Sequence, residues 1–336
     1  MSSAADIAPT DPGRSSGGDK KGDGAREGRT EILAKAAEYA APIALVLLWV
    51  AFFIATPDFL TLSNIGDLLV SATILTVLAL GQQFAVTVGG IDLSVGANLP
   101  WAAALLGFMN SRGYPIAVSI VVAILGGLVV GVLNGYLVGK LHMTDFVVTL
   151  GMLSVVSGLT LLLTHGNTTA VSSPFLSKFA LDGIGPVRWF WLMALIAALL
   201  VGGIIFRTRI GTHLLATGGR LEAARDTGIS VNKIRLFAYA MSGLLCGIAG
   251  VMLVARNGGA DPSLQTTYLL SSIAAVVLGG SSLNGGKASV LGTVAGAVLF
   301  TSLINGFTIL GISQYYQPIA VGAVLLLAAG ISRFRK

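Results

Sequence analysis

The stretch IGDLLVSATILTVLALGQQFAVTVGGIDLSVG, residues 65 to 96, decides how the rest of the chain is read. Its first 24 residues, 65 to 88, carry one carboxylate, Asp67, and are long enough as a helix to cross a hydrocarbon layer of about 30 Å. The run then breaks at Gly89-Gly90 and a second carboxylate, Asp92, before apolar residues resume at Val95. Working outward, similar runs occupy 39 to 56, 94 to 110, 115 to 138, 146 to 164, 189 to 206, 236 to 256, 268 to 281, 288 to 311 and 315 to 332. The run at 268 to 281 is too short to cross unaided. The whole chain of 336 residues is 54% hydrophobic and 11% charged, with a mean hydropathy of +0.84. A soluble chain carries about 25% charge, so here the bilayer is the solvent. The fold expected is an all-α membrane protein, a polytopic bundle of about ten transmembrane helices with broken or re-entrant segments.

Composition removes several function classes. Glycine, at 44 residues, shows no strict triplet period and suits helices packed closely in lipid. The single cysteine, Cys246, excludes an internal disulfide and a cysteine-based zinc site. The net charge of +6 arises in segments between apolar runs, so it is read as membrane topology and not as a nucleic-acid surface. Residues 1 to 38 hold six Lys/Arg and seven Asp/Glu among scattered glycines, and are expected to form a disordered cytoplasmic tail. The permease domain expected is 39 to 336.

Short cytoplasmic loops accumulate Lys and Arg. The stretch 207 to 235 holds Arg207, Arg209, Arg220, Arg225, Lys233 and Arg235 against Glu222 and Asp226, and the chain ends with Arg333, Arg335 and Lys336. Six runs precede the first cluster and four follow it, which puts both termini and the cluster in the cytoplasm. The segment 165 to 188 then lies outside, with Lys178 and Arg188 as exceptions.

The chemistry-bearing constellations are few. Ser281-Ser282-Leu283-Asn284-Gly285-Gly286-Lys287-Ala288 superficially resembles a phosphate loop, but Ser281 stands where glycine is needed and Ala288 where a magnesium-binding hydroxyl is needed. His142, His165 and His213 fall on separate segments without metal-ligand spacing. There is no Gly-x-Ser-x-Gly elbow and no carboxylate pair set for acid and base work, which argues against an enzyme. Asp92 is costly inside a membrane, so it needs a partner, an aqueous cavity or a shallow position. One reading makes Asp92 or Ser94 the N-cap of the helix that follows; the other makes the break part of a pathway. Glycines recur every fourth residue in 127/131/135, 243/247 and 292/296, a spacing that favours close packing within the subunit over a dimer interface. Asn134 and Asn305 are assigned to hydrogen bonds across helices. Leu221-Glu222-Ala223-Ala224-Arg225, a helix-prone run ended by Gly228, lies in a connector longer than a bundle loop requires, which suits docking of a cytoplasmic partner.

Taken in order, Val88 to Gly96, Leu133-Asn134-Gly135, Phe146 to Gly151, Ala223 to Ile229 and Ile273 to Gly286 resemble the permease subunits of ATP-binding-cassette importers for ribose, xylose, arabinose and related sugars. The resemblance extends from about residue 42 to the C-terminus. It departs from the usual pattern at Leu269, Ser271, Thr212 and Arg220. The resemblance implies a pair of permeases, commonly a homodimer, in a bacterial inner membrane. Two ATPase subunits that bind ATP and Mg lie beneath, and an extracytoplasmic sugar-binding protein lies above. It implies no cofactor on this chain. It makes Glu222, Ala223, Ala224, Arg225 and Gly228 the ATPase-coupling candidates, within a loop at 207 to 235. Gly89, Gly90, Asp92 and Ser94, with Asn134 and Thr149, become the translocation-pathway candidates. The solute would be a pentose, a hexose or a related polyol. Two other readings remain: an ion-coupled secondary transporter, which calls for a chain of intramembrane carboxylates of which Asp92, Asp67 and Asp145 are the candidates, and a passive solute channel.

Overall fold

The computed structural model describes residues 40–332 except Pro186 and Leu264. The tail at 1 to 38 and the terminal basic residues lie outside that range. A helix stands on each of the ten apolar runs: α1 (Ala40–Ala55), α2 (Leu62–Thr87), α3 (Val95–Ser111), α4 (Ile116–Gly139), α5 (Asp145–Thr164), α7 (Trp189–Arg207), α10 (Val231–Asn257), α11 (Thr266–Leu278), α12 (Val290–Ile309) and α13 (Gln317–Ser332). Six of them, α2, α4, α5, α7, α10 and α12, are long and apolar enough to cross a membrane. The others have 13 to 17 residues. The molecule is an all-α polytopic membrane bundle.

Start and stop signals explain most boundaries. Thr61, Thr208 and Ser289 each turn a side-chain oxygen back to accept a free amide at the head of α2, of the short helix Arg209–Gly219 and of α12. Gly258, at φ 69°, ends α10 in the left-handed conformation. Between the long helices lie short ones: α6 (Pro174–Leu181), α8 (Arg209–Gly219) and α9 (Leu221–Asp226). The only strands among the described residues are two-residue pieces. β1 (Thr169–Ala170) pairs antiparallel with β4 (Gly259–Ala260), and β2 (Gly183–Ile184) pairs with β3 (Val187–Arg188). The connector at 207 to 235 is therefore mostly helical, and 165 to 188 folds into a small helix and strand cap.

Burial ranks the helices. In α2, 89% of the apolar window is buried, whereas α4, α5 and α7 bury 17% to 28% of theirs and turn leucines and valines such as Leu125, Val155 and Leu199 outward. α2 is the central post and the other three form the outer wall. The closest pairing joins α4 to α10. A Cβ added to Gly127 would lie 2.7 Å from the Gly247 Cα, and one on Gly131 would lie 2.8 Å from the Gly243 Cα. A Cβ on Gly135 would lie 2.8 Å from the Leu236 Cα. Only hydrogen at these positions lets two backbones meet, so the four-residue glycine spacing serves packing within the chain. Gly296 packs in the same manner on Ala275 of α11.

Contacts sort the connectors into two ends. At one end β1 pairs with β4, Arg188 forms a 2.8 Å ion pair with Asp67, and Asn64 and Asn305 exchange amide hydrogen bonds of 3.0 and 2.8 Å. At the other end the residues after α2, the head of α5, the end of α8 and the connector between α11 and α12 converge.

Candidate functional site

The break between α2 and α3 gathers a polar cluster inside the bundle. Asp92 is fully buried and is held by neutral donors. Its Oδ1 accepts from the Ser94 backbone N–H at 3.0 Å and the Ser94 hydroxyl at 2.6 Å, while Oδ2 accepts from the Ser242 hydroxyl of α10 at 2.7 Å. The Asn134 amide donates to Ser94 Oγ at 2.8 Å and lies 3.5 Å from Asp92 Oδ1. In the amide orientation that satisfies both partners, the Gln82 side chain bridges the Asp92 backbone N–H and C=O at 3.1 Å each. Asp92 thus closes an Asx turn two residues long and does not cap α3 through its second or third amide; Ser94 makes no side-chain cap either. The N-cap expectation gives way because the Ser94 hydroxyl is already committed to Asp92 and Asn134.

The other pathway candidates join the same cluster. The Thr149 hydroxyl, fully buried, faces both the Ile91 carbonyl at 3.1 Å and the Asp145 carbonyl at 2.9 Å. Asp145, at the head of α5, accepts the Ile91 N–H at 2.9 Å. Gly89 takes φ +79°, a left-handed conformation that a side chain resists, and the Tyr239 hydroxyl sits where a Cβ of Gly90 would go. All six residues, Gly89, Gly90, Asp92, Ser94, Asn134 and Thr149, are therefore in one place. They make a bonded lock around the break.

A second break mirrors the first. The connector from Gly279 to Ser289 between α11 and α12 carries three left-handed glycines, Gly280, Gly285 and Gly286. Gln83, next to Gln82 on α2 and equally buried, donates to Ser281 Oγ at 2.9 Å and accepts from the Thr293 hydroxyl. The Gly286 N–H donates to the Thr87 carbonyl at 3.0 Å. Adjacent glutamines at the end of one helix therefore hold one break each. Their signal in the sequence is a pair of amides in an otherwise apolar run.

The coupling candidates lie beside this junction. Within α9, Glu222, Ala223 and Arg225 are exposed, and Ala224 is buried. Gly228, at φ +81°, closes the helix through its N–H to the Arg225 carbonyl at 2.9 Å. The preceding α8 buries Gly211, Leu214 and Thr217, and in its last turn a Cβ on Gly218 would stand 2.5 Å from the Gly286 nitrogen. A Cβ on Gly285 would lie 2.7 Å from both the Gly218 Cα and the Gly89 nitrogen. Gly89 and the pairs Gly218/Gly219 and Gly285/Gly286 thus meet backbone to backbone. This junction, unseen in the sequence, joins the end of α8 to both breaks.

Among the described residues no group of three or more His, Cys, Asp or Glu is placed to hold a metal ion. Among the described residues the cluster is one of hydrogen bonds and close backbone packing.

Comparison with known proteins fits this geometry. The family model described as "Branched-chain amino acid transport system / permease component" matches residues 64–329. The chain is 37% identical over 291 residues to the ribose import permease protein RbsC of Haemophilus influenzae, covering 85% of this chain and 90% of the relative. It is 35% identical over 297 residues to RbsC of Escherichia coli K12, again covering 85% and 90%. To the L-arabinose ABC transporter permease protein AraH of Azospirillum brasilense it is 30% identical over 294 residues, covering 87% and 86%. The chain belongs to the transport-system permease family whose model it matches from α2 into α13.

Proposed function

We propose that the chain is the membrane permease subunit of an ATP-binding-cassette importer for a monosaccharide, a pentose or hexose, or a related polyol. The observation that carries this is near-full-length similarity to permeases named for ribose and arabinose. The family description mentions amino acids, but the relatives matched across 85% to 87% of this chain carry sugar names.

The chain crosses a bacterial inner membrane ten times in this reading, as one domain over 39 to 336, with both termini in the cytoplasm. Support comes from the two ends of the bundle. Of the twelve Lys and Arg within 40–332, eight (Lys140, Arg207, Arg209, Arg220, Arg225, Lys233, Arg235, Lys287) sit at the end holding the glycine junction and four (Arg112, Lys178, Arg188, Arg256) at the other. The positive-inside rule makes the junction end cytoplasmic.

Its partners are a second permease copy, an ATPase subunit that holds ATP and Mg, and an extracytoplasmic sugar-binding protein. The exposed side of α9, with Glu222, Ala223 and Arg225 and the turn at Gly228, is the docking surface at the centre of a coupling loop spanning 207 to 235. Movement of α8 and α9 reaches the breaks through Gly218, and the lock around Asp92 and Thr149 governs the inner end of the pathway. Affinity and selectivity then belong to the binding protein, because a tight membrane site would retain solute. A proton relay finds no support: Asp67 pairs with Arg188 at the end of α2 opposite Asp92 and Asp145.

The test is uptake by proteoliposomes holding the chain with its ATPase and binding protein, offered D-ribose, L-arabinose, D-galactose, D-allose and L-leucine in turn. ATP-dependent entry of a monosaccharide is expected; entry of leucine alone would overturn the substrate assignment.

A further inference from the structure

A cleft at the end of the bundle away from the glycine junction has no role in the account so far. It has a volume of about 360 Å³ and opens between α2, α11, α12 and α13. Its polar wall includes Arg256, Gln265, Tyr268, Ser271, Thr301 and Asn305. Ser71 on α2 and Thr301 on α12 lie nine and eight residues from their helix ends, so the cleft descends about 12 to 14 Å into the bundle. A pocket of that composition cannot be left to lipid tails, since each unpaired polar group there costs free energy.

The walls already hold most of their own hydrogens. Asn305 is committed to its reciprocal pair with Asn64, Thr301 donates to the Ala297 carbonyl at 2.9 Å, and Arg256 lies within hydrogen-bonding reach of Tyr268. What these groups still offer inward is spare oxygen lone pairs and amide and guanidinium hydrogens. Ser271 is the exception: it is 1% exposed, its hydroxyl has no partner, and it lines the cleft. A buried hydroxyl with neither its hydrogen nor its lone pairs engaged favours a ligand that pairs with both.

The chemistry selects the ligand class. Among the described residues no Asp or Glu lines the cleft, which disfavours a cation. Leu75 and Ile304 add an apolar strip beside the hydroxyls and amides. A neutral solute with hydroxyls on its rim and C–H groups on its face matches both surfaces. The volume falls in the lower part of the roughly 300 to 1,000 Å³ range of small-molecule sites.

We propose that this cleft is the outward-facing subsite where a monosaccharide first contacts the membrane chain, with Ser271 as its central hydrogen-bonding group. The assignment rests on the reading of the chain as a sugar permease and adds the place of contact. It separates two duties: solute meets the chain at Ser271, while the Asp92 lock at the other end touches no solute in the resting state.

The chain's only cysteine, Cys246, is buried, so introduced thiols can be read against a silent background. The complex with its ATPase and binding protein, in proteoliposomes, carries Ser271→Cys and is treated from outside with a hydrophilic, membrane-impermeant thiol reagent. Leu195→Cys, on the outer face of α7, is the lipid-facing control. Thr308→Cys, at the exposed mouth, is treated likewise, and its labelling is expected to be about tenfold faster than the control, because thiol reactivity follows access to water; the buried Ser271→Cys labels more slowly. D-ribose, or whichever monosaccharide the complex imports, is expected to slow labelling of Thr308→Cys at least about threefold by occupancy. Ser271→Cys, deeper in the cleft, is expected to show the same protection by the sugar. Labelling of Thr308→Cys no faster than the control, or labelling indifferent to a sugar that the same complex imports, overturns the subsite. Import of some other solute overturns the sugar reading, and protection by that solute then decides the cleft separately.

Discussion

Asp92 is a carboxylate without a counter-charge among the described residues, buried in a membrane bundle and held by three neutral donors from α10 and its own turn. Deleting the acceptor strands those donors, each at a cost of about 1 to 3 kcal/mol. Asp92→Leu is therefore expected to destabilise the protein by about 3 kcal/mol or more. Asp92→Asn keeps one acceptor, and the Ser242 hydroxyl can rotate to accept the new amide, so its cost is about 1 kcal/mol. Thermal unfolding of the purified variants checks this; equal transition temperatures for the two would remove the lock. That Asp92 needed partners was legible in the sequence, because a carboxylate beside paired glycines interrupts an apolar run. Which partners it has was not: Ser242 is 150 positions away, and nothing local marks a serine inside an apolar helix as a ligand for it.

At the scale of the elements, the apolar runs were readable because a membrane helix needs no amphipathic period, only length and low charge. The glycine seam was readable too, since close backbone approach demands small residues at four-residue spacing. Gly131→Leu is expected to prevent α4 from seating on α10, with loss of folded protein measured by size-exclusion recovery. Gly158→Ala, on a face of α5 with nothing within 4 Å, leaves recovery unchanged. The helix α8 was not readable. Three of its eleven residues are glycine, which lowers helix propensity, and it looked like connector. Those glycines serve contacts: Gly211 packs on the carbonyls ending α7, and Gly218 on the junction. Beyond it, exchanging charges with Glu222→Arg and Arg225→Glu alters only the exposed side of α9 and should leave the protein folded. It is expected to lower ATP-driven uptake by about tenfold through lost docking. Co-purification of the ATPase measures it, and undiminished association would remove α9 from the interface.

For the whole molecule, the organising feature is the convergence of two breaks and the end of α8 on backbone contacts that only glycine allows. Such a joint transmits displacement because no side chain cushions it. Gly285 combines φ +82° with contact to both Gly218 and Gly89, so Gly285→Ala forces the three apart. Uptake is expected to fall about tenfold or more while the ATPase still co-purifies, the sign of a broken link and not a lost partner. Wild-type uptake in this variant would show that the junction carries no coupling. The glycines of the joint are individually unremarkable in a chain with 44 of them, and their meeting depends on the path of three distant segments. The remaining question is whether the assembled chain moves solute by its own means. Purified permease alone, in liposomes under imposed proton and sodium gradients, should accumulate no sugar. Adding the ATPase, the binding protein and ATP should produce uphill accumulation. Concentrative uptake by the chain alone would contradict the account.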